Sequence, residues 1–354
     1  MTRKFRSPWR RTVAGALMAA SVVLVSSSMG IAGATPIAHQ GGGDAAQDDS
    51  DGSYIESVER VNDRQIVVNV YAASMDKSVP IQVILPADNS QPRPILYLLN
   101  GADGGEGTAT WDRQTDVVDF FADKNVNVAI PAKGLMSYYT DWEKEDSVLG
   151  KNMWSTFLGK ELPPLLNKEL GSNGDQSIAA ISMSATSVLN LAIEYPGFYK
   201  SVASYSGCAQ TSDPMGQAFV RATTEWIGGV GDIQNMWGPF DGPGWVEHDP
   251  VVNAEKLRGT PLYISTGSGL PGFPNDTPEN PRIQDGRAAM FDQIVVGGPI
   301  EFATSICTGN LARRLADLNI PATVDFRPVG THSWGYWQDD LHKSWPFIAQ
   351  SLGV

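Results

Sequence analysis

Strand-like and helix-like runs alternate along this 354-residue chain, and the alternation predicts an α/β protein with a mostly parallel central sheet covered by helices on both faces. Two further observations narrow the prediction. "RPILYLLNG" (93–101) is a continuous apolar run, the mark of a strand buried on both faces. "SIAAISMSATSVLNLAIEYP" (177–196) reads as a strand turning sharply into a helix, with Ser182 at the corner.

The first 34 residues stand apart from that pattern. Arg3, Lys4, Arg6, Arg10 and Arg11 form a basic region, residues 13–29 are mostly small and apolar, and "AGA" (32–34) is an A-x-A cleavage signal. They predict a secretory signal peptide, and no later run is long enough to span a bilayer. Removing these five basic residues from 26 leaves 21 against 39 acidic groups, a net charge of −18. That argues against nucleic acid and bare anionic membrane as partners. "QGGGDAAQDDSDGS" (40–53) is polar, acidic and Gly-rich, so residues 35–53 are expected to be a flexible segment ahead of one catalytic domain at 54–354.

The elements follow in order. "RQIVVNVYAA" (64–73) and "VPIQVILP" (79–86) alternate well enough for an antiparallel pair. The buried strand at 93–101 comes next, then "NVNVAIPA" (125–132), "SIAAIS" (177–182), "KSVASYSG" (200–207), "PLYISTG" (261–267) and "PATVDFRP" (321–328). Helix-like stretches lie at 112–122, 155–170, 184–195, 306–319 and 338–351, and residues 208–260 look like an excursion over the strand ends. Two antiparallel strands ahead of a parallel series suit an α/β-hydrolase, with its ligand at the carboxyl ends of the strands.

That fold carries its nucleophile at a strand-to-helix turn, usually as G-x-S-x-G. Here the frame reads A-I-S-M-S, and both glycines are missing. The turn requires small residues because strand and helix pass close together, and Ala180 and Ser184 are small. Ser182 is therefore a candidate nucleophile; the competing reading is an ordinary helix N-cap.

Four histidines make elimination informative. His39 lies in the N-terminal segment, His342 on a helix where it is expected at the surface, and His248 beside an acidic turn where it could line the site. His332 in "GTHSWGYW" follows the last strand, where this fold places its general base. The acid belongs between the two, and Asp276, Glu279, Asp285, Asp292 and Glu301 all qualify by position. No histidine pair has metal-ligand spacing and the two cysteines are far apart in sequence, so neither metal nor cofactor is expected.

Several motifs occur together in one order: "RPILYLLNG", "SYYTDW", "WSTFLGKELPPLL", "ISMSATS", "MWGP", "HDP" and "GTHSWGYW". The chain resembles, over roughly residues 66–352, the secreted mycolyltransferases of the antigen 85 type. The resemblance implies Ser182 as nucleophile, His332 as base, and Glu301, 31 residues before the histidine, as the acid. It implies an oxyanion hole from the backbone N–H groups of Ala102 and Met183. It also implies trehalose mycolates as donors, with trehalose monomycolate or cell-wall glycan as acceptor. Positions 100 and 103 touch the sugar in relatives, and Asn100 and Asp103 depart from the family pattern there. Trp334, beside the histidine, is expected to line the acyl or sugar site. Rival readings are a secreted carboxylesterase using water and an inactive glycolipid- or matrix-binding surface protein. Cys208 and Cys307, the only cysteines, are expected to pair in a secreted chain and to tether the segment bearing Glu301.

Overall fold

The computed structural model describes residues 52–229, 231–280 and 287–354. All of them belong to one compact unit, Thr35–Val354. The expected leader, His39 and Asp285 lie outside the described residues.

Nine strands form one sheet: β1 (Tyr54–Arg60), β2 (Gln65–Ala72), β3 (Lys77–Ile84), β4 (Ile95–Leu99), β5 (Asn127–Pro131), β6 (Gln176–Ile181), β7 (Val202–Tyr205), β8 (Leu262–Thr266) and β9 (Thr323–Phe326). Their spatial order is β1-β2-β3-β5-β4-β6-β7-β8-β9. β1, β2, β3 and β5 pair antiparallel, and every pairing from β5 through β4 to β9 is parallel. The chain steps from β4 to β5 on one side and returns to β6 on the other. The carboxyl ends of β4 and β6 thus flank the point where strand order reverses, the place where open α/β sheets bind ligands.

β4 shows why its sequence is continuously apolar. Ile95, Tyr97 and Leu99 enter one core and Leu96 and Leu98 the other, all buried to 1% exposure or less. Burial of each such side chain contributes about 1.5–3 kcal/mol before entropy is subtracted. Helices cover both faces. Met183–Glu194 packs on one, with Val188, Leu189 and Leu191 in the first core. Trp334–Leu352 packs on the other, with Trp337, Leu341 and Ile348 in the second.

Several expectations change. β1 was not legible, because its residues are largely exposed and alternate weakly. The 112–122 stretch is two short helices, Trp111–Gln114 and Val117–Phe120, because Thr115 between them is extended. The helix expected at 306–319 begins eight residues earlier and runs Gly298–Asp317. Two glycines at 297–298 hide its start in the sequence, while Pro299 sits in its first turn, where a proline is favoured. Glu301 is therefore in the first turn of a helix rather than in a loop, and Cys307 is in mid-helix rather than at a start.

Candidate active site

Ser182 occupies a sharp turn between β6 and the helix Met183–Glu194, with φ 55° and ψ −125°. A non-glycine residue in the left-handed region costs about 1–3 kcal/mol and persists only where its surroundings enforce it. Here they do: Ser182 N–H donates to Tyr205 C=O of neighbouring β7 at 2.9 Å, and Ser182 C=O accepts from Ala185 N–H at 3.1 Å. The absent second glycine is explained at Ser184. Its hydroxyl is fully buried and lies 2.6 Å from the Asn100 carbonyl and 2.8 Å from that of Ile181. The serine fits where glycine usually sits and ties the turn to the end of β4.

His332 lies in the loop between β9 and the helix Trp334–Leu352. Its Nε2 is 2.7 Å from Ser182 Oγ and its Nδ1 2.8 Å from Glu301 Oε2. The other edge of the Glu301 carboxylate is held by four donors. Oε1 accepts from Ser206 Oγ at 2.7 Å, from Gly267 N–H at 2.5 Å, from Thr266 Oγ1 at 3.2 Å and from Arg327 Nη2 at 3.3 Å. Glu301 has no solvent exposure. Burial pushes its carboxyl pKa up, but the His332 hydrogen bond and charge, the Gly267 N–H and the Arg327 charge outweigh it and hold it below the ordinary value. A buried carboxylate on one imidazole nitrogen fixes the tautomer that leaves the other free to take a hydroxyl proton. Among the described acids left open by position, Glu301 is the one that meets His332; Asp276 instead accepts from Thr331 Oγ1 and Tyr336 Oη, both at 2.6 Å.

The loop after β4 lies against this turn, since a Cβ on Gly101 would come 3.6 Å from Ser182 Cβ. Ala102 follows in that loop, and Met183 is the first helical residue, whose N–H has no intrahelical acceptor. The Asn100 side chain is directed inward. It is 2% exposed, accepts from Trp111 N–H at 3.1 Å and donates to Pro131 C=O at 3.5 Å. Asp103 turns back onto its own loop, accepting from Gly105 N–H at 3.3 Å. Burial raises its pKa, against the loop N–H groups that lower it. Both side chains make their hydrogen bonds within the loop and to its neighbours.

His332 borders two recesses. On one side is a cavity of about 310 Å³ lined mainly by apolar groups, among them Tyr138, Met183, Phe219, Val220, Ile300 and Ala303. On the other is a cleft of about 240 Å³ whose lining includes Gln114, Asn280, Gln293, Ser333 and Trp334. Trp334 thus lines this second cleft of mixed polarity and not the apolar cavity, braced edge-on by Trp111 and Trp337. The excursion after β7 supplies one wall of the apolar cavity through the helix Pro214–Arg221, which sequence reading did not resolve.

Neither of the remaining histidines joins the site. His248 stacks on Trp237, with ring centroids 4.8 Å apart, and its Nδ1 lies 2.8 Å from Gly244 C=O. His342 is half-buried, stacked on Phe120 and 2.9 Å from Asp116. Cys208, three residues after β7, forms a disulfide with Cys307, with Cα atoms 4.9 Å apart. It joins the apolar cavity's wall to the helix that bears Glu301.

Comparison with known proteins gives the family and the fold. The Esterase family model matches residues 72–348. The diacylglycerol acyltransferase/mycolyltransferase Ag85A of Mycobacterium leprae is 29% identical, covering 99% of this chain and 98% of its own length. The protein of the same name from Mycobacterium tuberculosis is 28% identical, covering 81% of each chain. Among solved structures, Mycobacterium tuberculosis MPT51 (FbpC1) aligns at a TM-score of 0.63 with 24% identity, covering 79% of this chain and 96% of that one. An S-formylglutathione hydrolase from Agrobacterium tumefaciens aligns at 0.58 with 14% identity, covering 84% and 99%. The chain therefore belongs to the Esterase family, has the α/β-hydrolase fold, and is similar over most of its length to the Ag85-type acyltransferases/mycolyltransferases.

Proposed function

We propose that this chain is a secreted serine acyltransferase, freed of residues 1–34, that moves mycolyl groups from a trehalose monomycolate-like donor to a hydroxyl acceptor. The acceptor is a second trehalose monomycolate or a cell-wall glycan. The observation that carries the reading is the continuous Ser182–His332–Glu301 hydrogen-bonded chain at the junction of an apolar cavity and a cleft of mixed polarity. Ser182 Oγ attacks the ester carbon while His332 Nε2 takes its proton. The backbone N–H groups of Ala102 and Met183 receive the developing oxyanion; one such donor is worth roughly 3–4 kcal/mol in the transition state. His332 returns the proton to the departing sugar oxygen, leaving the acyl chain on Ser182. The acceptor hydroxyl then enters by the same face, loses its proton to His332 and takes the acyl group. The acyl chain suits the apolar cavity, and the sugar suits the cleft beside Trp334.

Water as acceptor makes the same machinery a carboxylesterase, a reading that the Esterase family match favours. Purified enzyme incubated with trehalose monomycolate at a fixed trehalose concentration, with products followed by mass spectrometry, separates the two. Trehalose dimycolate is the expected product. Free mycolic acid alone would establish hydrolysis. Failure of a fluorophosphonate to label Ser182 would overturn both and leave a binding protein.

A further inference from the structure

Arg327 stands outside the reaction scheme, yet it is the cation nearest to its acid. It follows β9 directly, is 7% exposed, and lies five residues before His332. Its Nη2 is 3.3 Å from Glu301 Oε1 and its Nη1 meets Asp340 Oδ2, on the helix that begins just after His332. Asp340 has no solvent exposure. The guanidinium lies over the Tyr336 ring at 5.3 Å, and Arg327 N–H donates to Thr266 C=O at 2.9 Å. The loop closes over it at Gly330, where φ is 134° and a Cβ would stand 3.3 Å from Arg327 Nε.

Stability does not account for such an arrangement. Replacing a buried ion pair by apolar residues of similar volume is often neutral or stabilising. Arg327 Nε also has no hydrogen-bond partner among the described residues. What the guanidinium does supply is a planar fork that reaches two carboxylates at once, which a lysine cannot do. One carboxylate is Glu301, and the edge it holds is the one turned away from His332.

We propose that Arg327 is the positioning residue for the acid: anchored by Asp340, it pins Oε1 of Glu301 so that Oε2 is presented, ionised, to His332 Nδ1. The inference rests on the reading of Ser182, His332 and Glu301 given above. Glu301 is faced from every packed element by groups that fit this role. Ser206 comes from the β7 loop, Thr266 and Gly267 from the end of β8, Arg327 and His332 from the loop after β9, and Asp340 from the last helix, beyond Arg327; Thr304, on its own helix, bonds Thr266 Oγ1 and the Glu301 backbone carbonyl. Asp325, which also acts on Arg327, is paired with Lys343 at 3.2 Å. Arg327 is the one among them that adds positive charge irrespective of pH. Its own charge is secure, because Asp340 and Glu301 outweigh the effect of burial.

The test is the pre-steady-state release of p-nitrophenol from a p-nitrophenyl acyl ester as a function of pH, in the full secreted chain. The Arg327→Met/Asp340→Asn double variant removes both members of that ion pair together, so Asp340 is not left as an unpaired buried anion and Glu301 alone loses its cation. Its acylation is expected to fall about tenfold at pH 7, with the acidic limb of the profile raised by about one unit. Asp340→Asn alone keeps the guanidinium on Glu301, and its acidic limb is expected at or below the wild-type position. In a Glu301→Gln background, the same double substitution is expected to change acylation less than about twofold, because the residue it acts through is gone. An unmoved acidic limb, or an equal loss in the Glu301→Gln background, overturns the role of Arg327. Wild-type acylation by Glu301→Gln itself is a different outcome and overturns the underlying assignment of the acid.

Discussion

Cys307→Ser, or reduction of the wild type, offers a stability change whose size follows from the chain path. The disulfide closes a loop with a sequence separation of 99 residues. The chain-entropy relation gives about 4.7 kcal/mol at 25 °C for a loop of about 100 residues. Unfolding entropy near 2.1 cal/mol/K per residue, over a domain of roughly 300 residues, totals about 0.6 kcal/mol/K. The expected fall in Tm is therefore about 7 °C. Activity should fall with it, because Cys307 lies less than two turns beyond Glu301 on the same helix, and Cys208 lies in the wall of the apolar cavity. Ser206, Gly267 and Arg327 still hold the carboxylate, so the loss of acylation rate should be moderate, about three- to tenfold. The assay is a thermal melt by circular dichroism and a p-nitrophenyl ester burst, each with and without dithiothreitol, with thiols titrated in parallel. Two thiols titrating in unfolded, non-reduced protein would refute the bond in solution. A lowered Tm with an unchanged burst would refute the claim that the bond steadies the acid.

Three further outcomes are expected. Ser184→Ala removes the buried hydroxyl that ties the Asn100 and Ile181 carbonyls together, and should cost about 1–2 kcal/mol in denaturant unfolding and slow acylation, whereas Ser184→Gly should be better tolerated in the turn. Equal stability of Ser184→Ala and wild type would show that the tie is idle. Glu301 has a pKa below its unfolded value, so its contribution to stability is complete above the unfolded pKa and is lost as pH falls through the folded one. The stability difference between wild type and Glu301→Gln should accordingly shrink as pH falls below about 4.5, and a difference that grows there would contradict the sign. EDTA should leave acyl transfer unchanged; loss restored by a divalent ion would bring a metal into the site.

Most of the fold is legible because its signals are local. Eight of the nine strands announce themselves as short apolar or alternating runs; those buried on both faces, such as β4, have no room for polar side chains, and β2 alternates because one face is buried. β1 escapes because an exposed strand carries no such constraint, and the start of the Gly298–Asp317 helix escapes because its glycines read as a loop. Ser182 and His332 are likewise marked by position, one at a strand-to-helix corner and one after the last strand.

The acid is the contrast. Five carboxylates were equal by position, and a resemblance chose Glu301; the geometry that sets it apart is tertiary, built from Ser206, Gly267, Arg327 and His332 on the three loops that follow β7, β8 and β9. The same holds for Asn100, which the resemblance placed against a sugar and whose amide turns inward to Trp111 N–H and Pro131 C=O. By itself the sequence determined the element order, the strand-to-helix corner and the loop histidine, because hydrophobic periodicity and small-residue requirements act between near neighbours. Only the tertiary structure decided which carboxylate meets His332, which arginine holds it, and which faces of the loop are presented. Those depend on distances between residues 26 to 150 positions apart, and pairing at such range leaves no periodic trace in one chain.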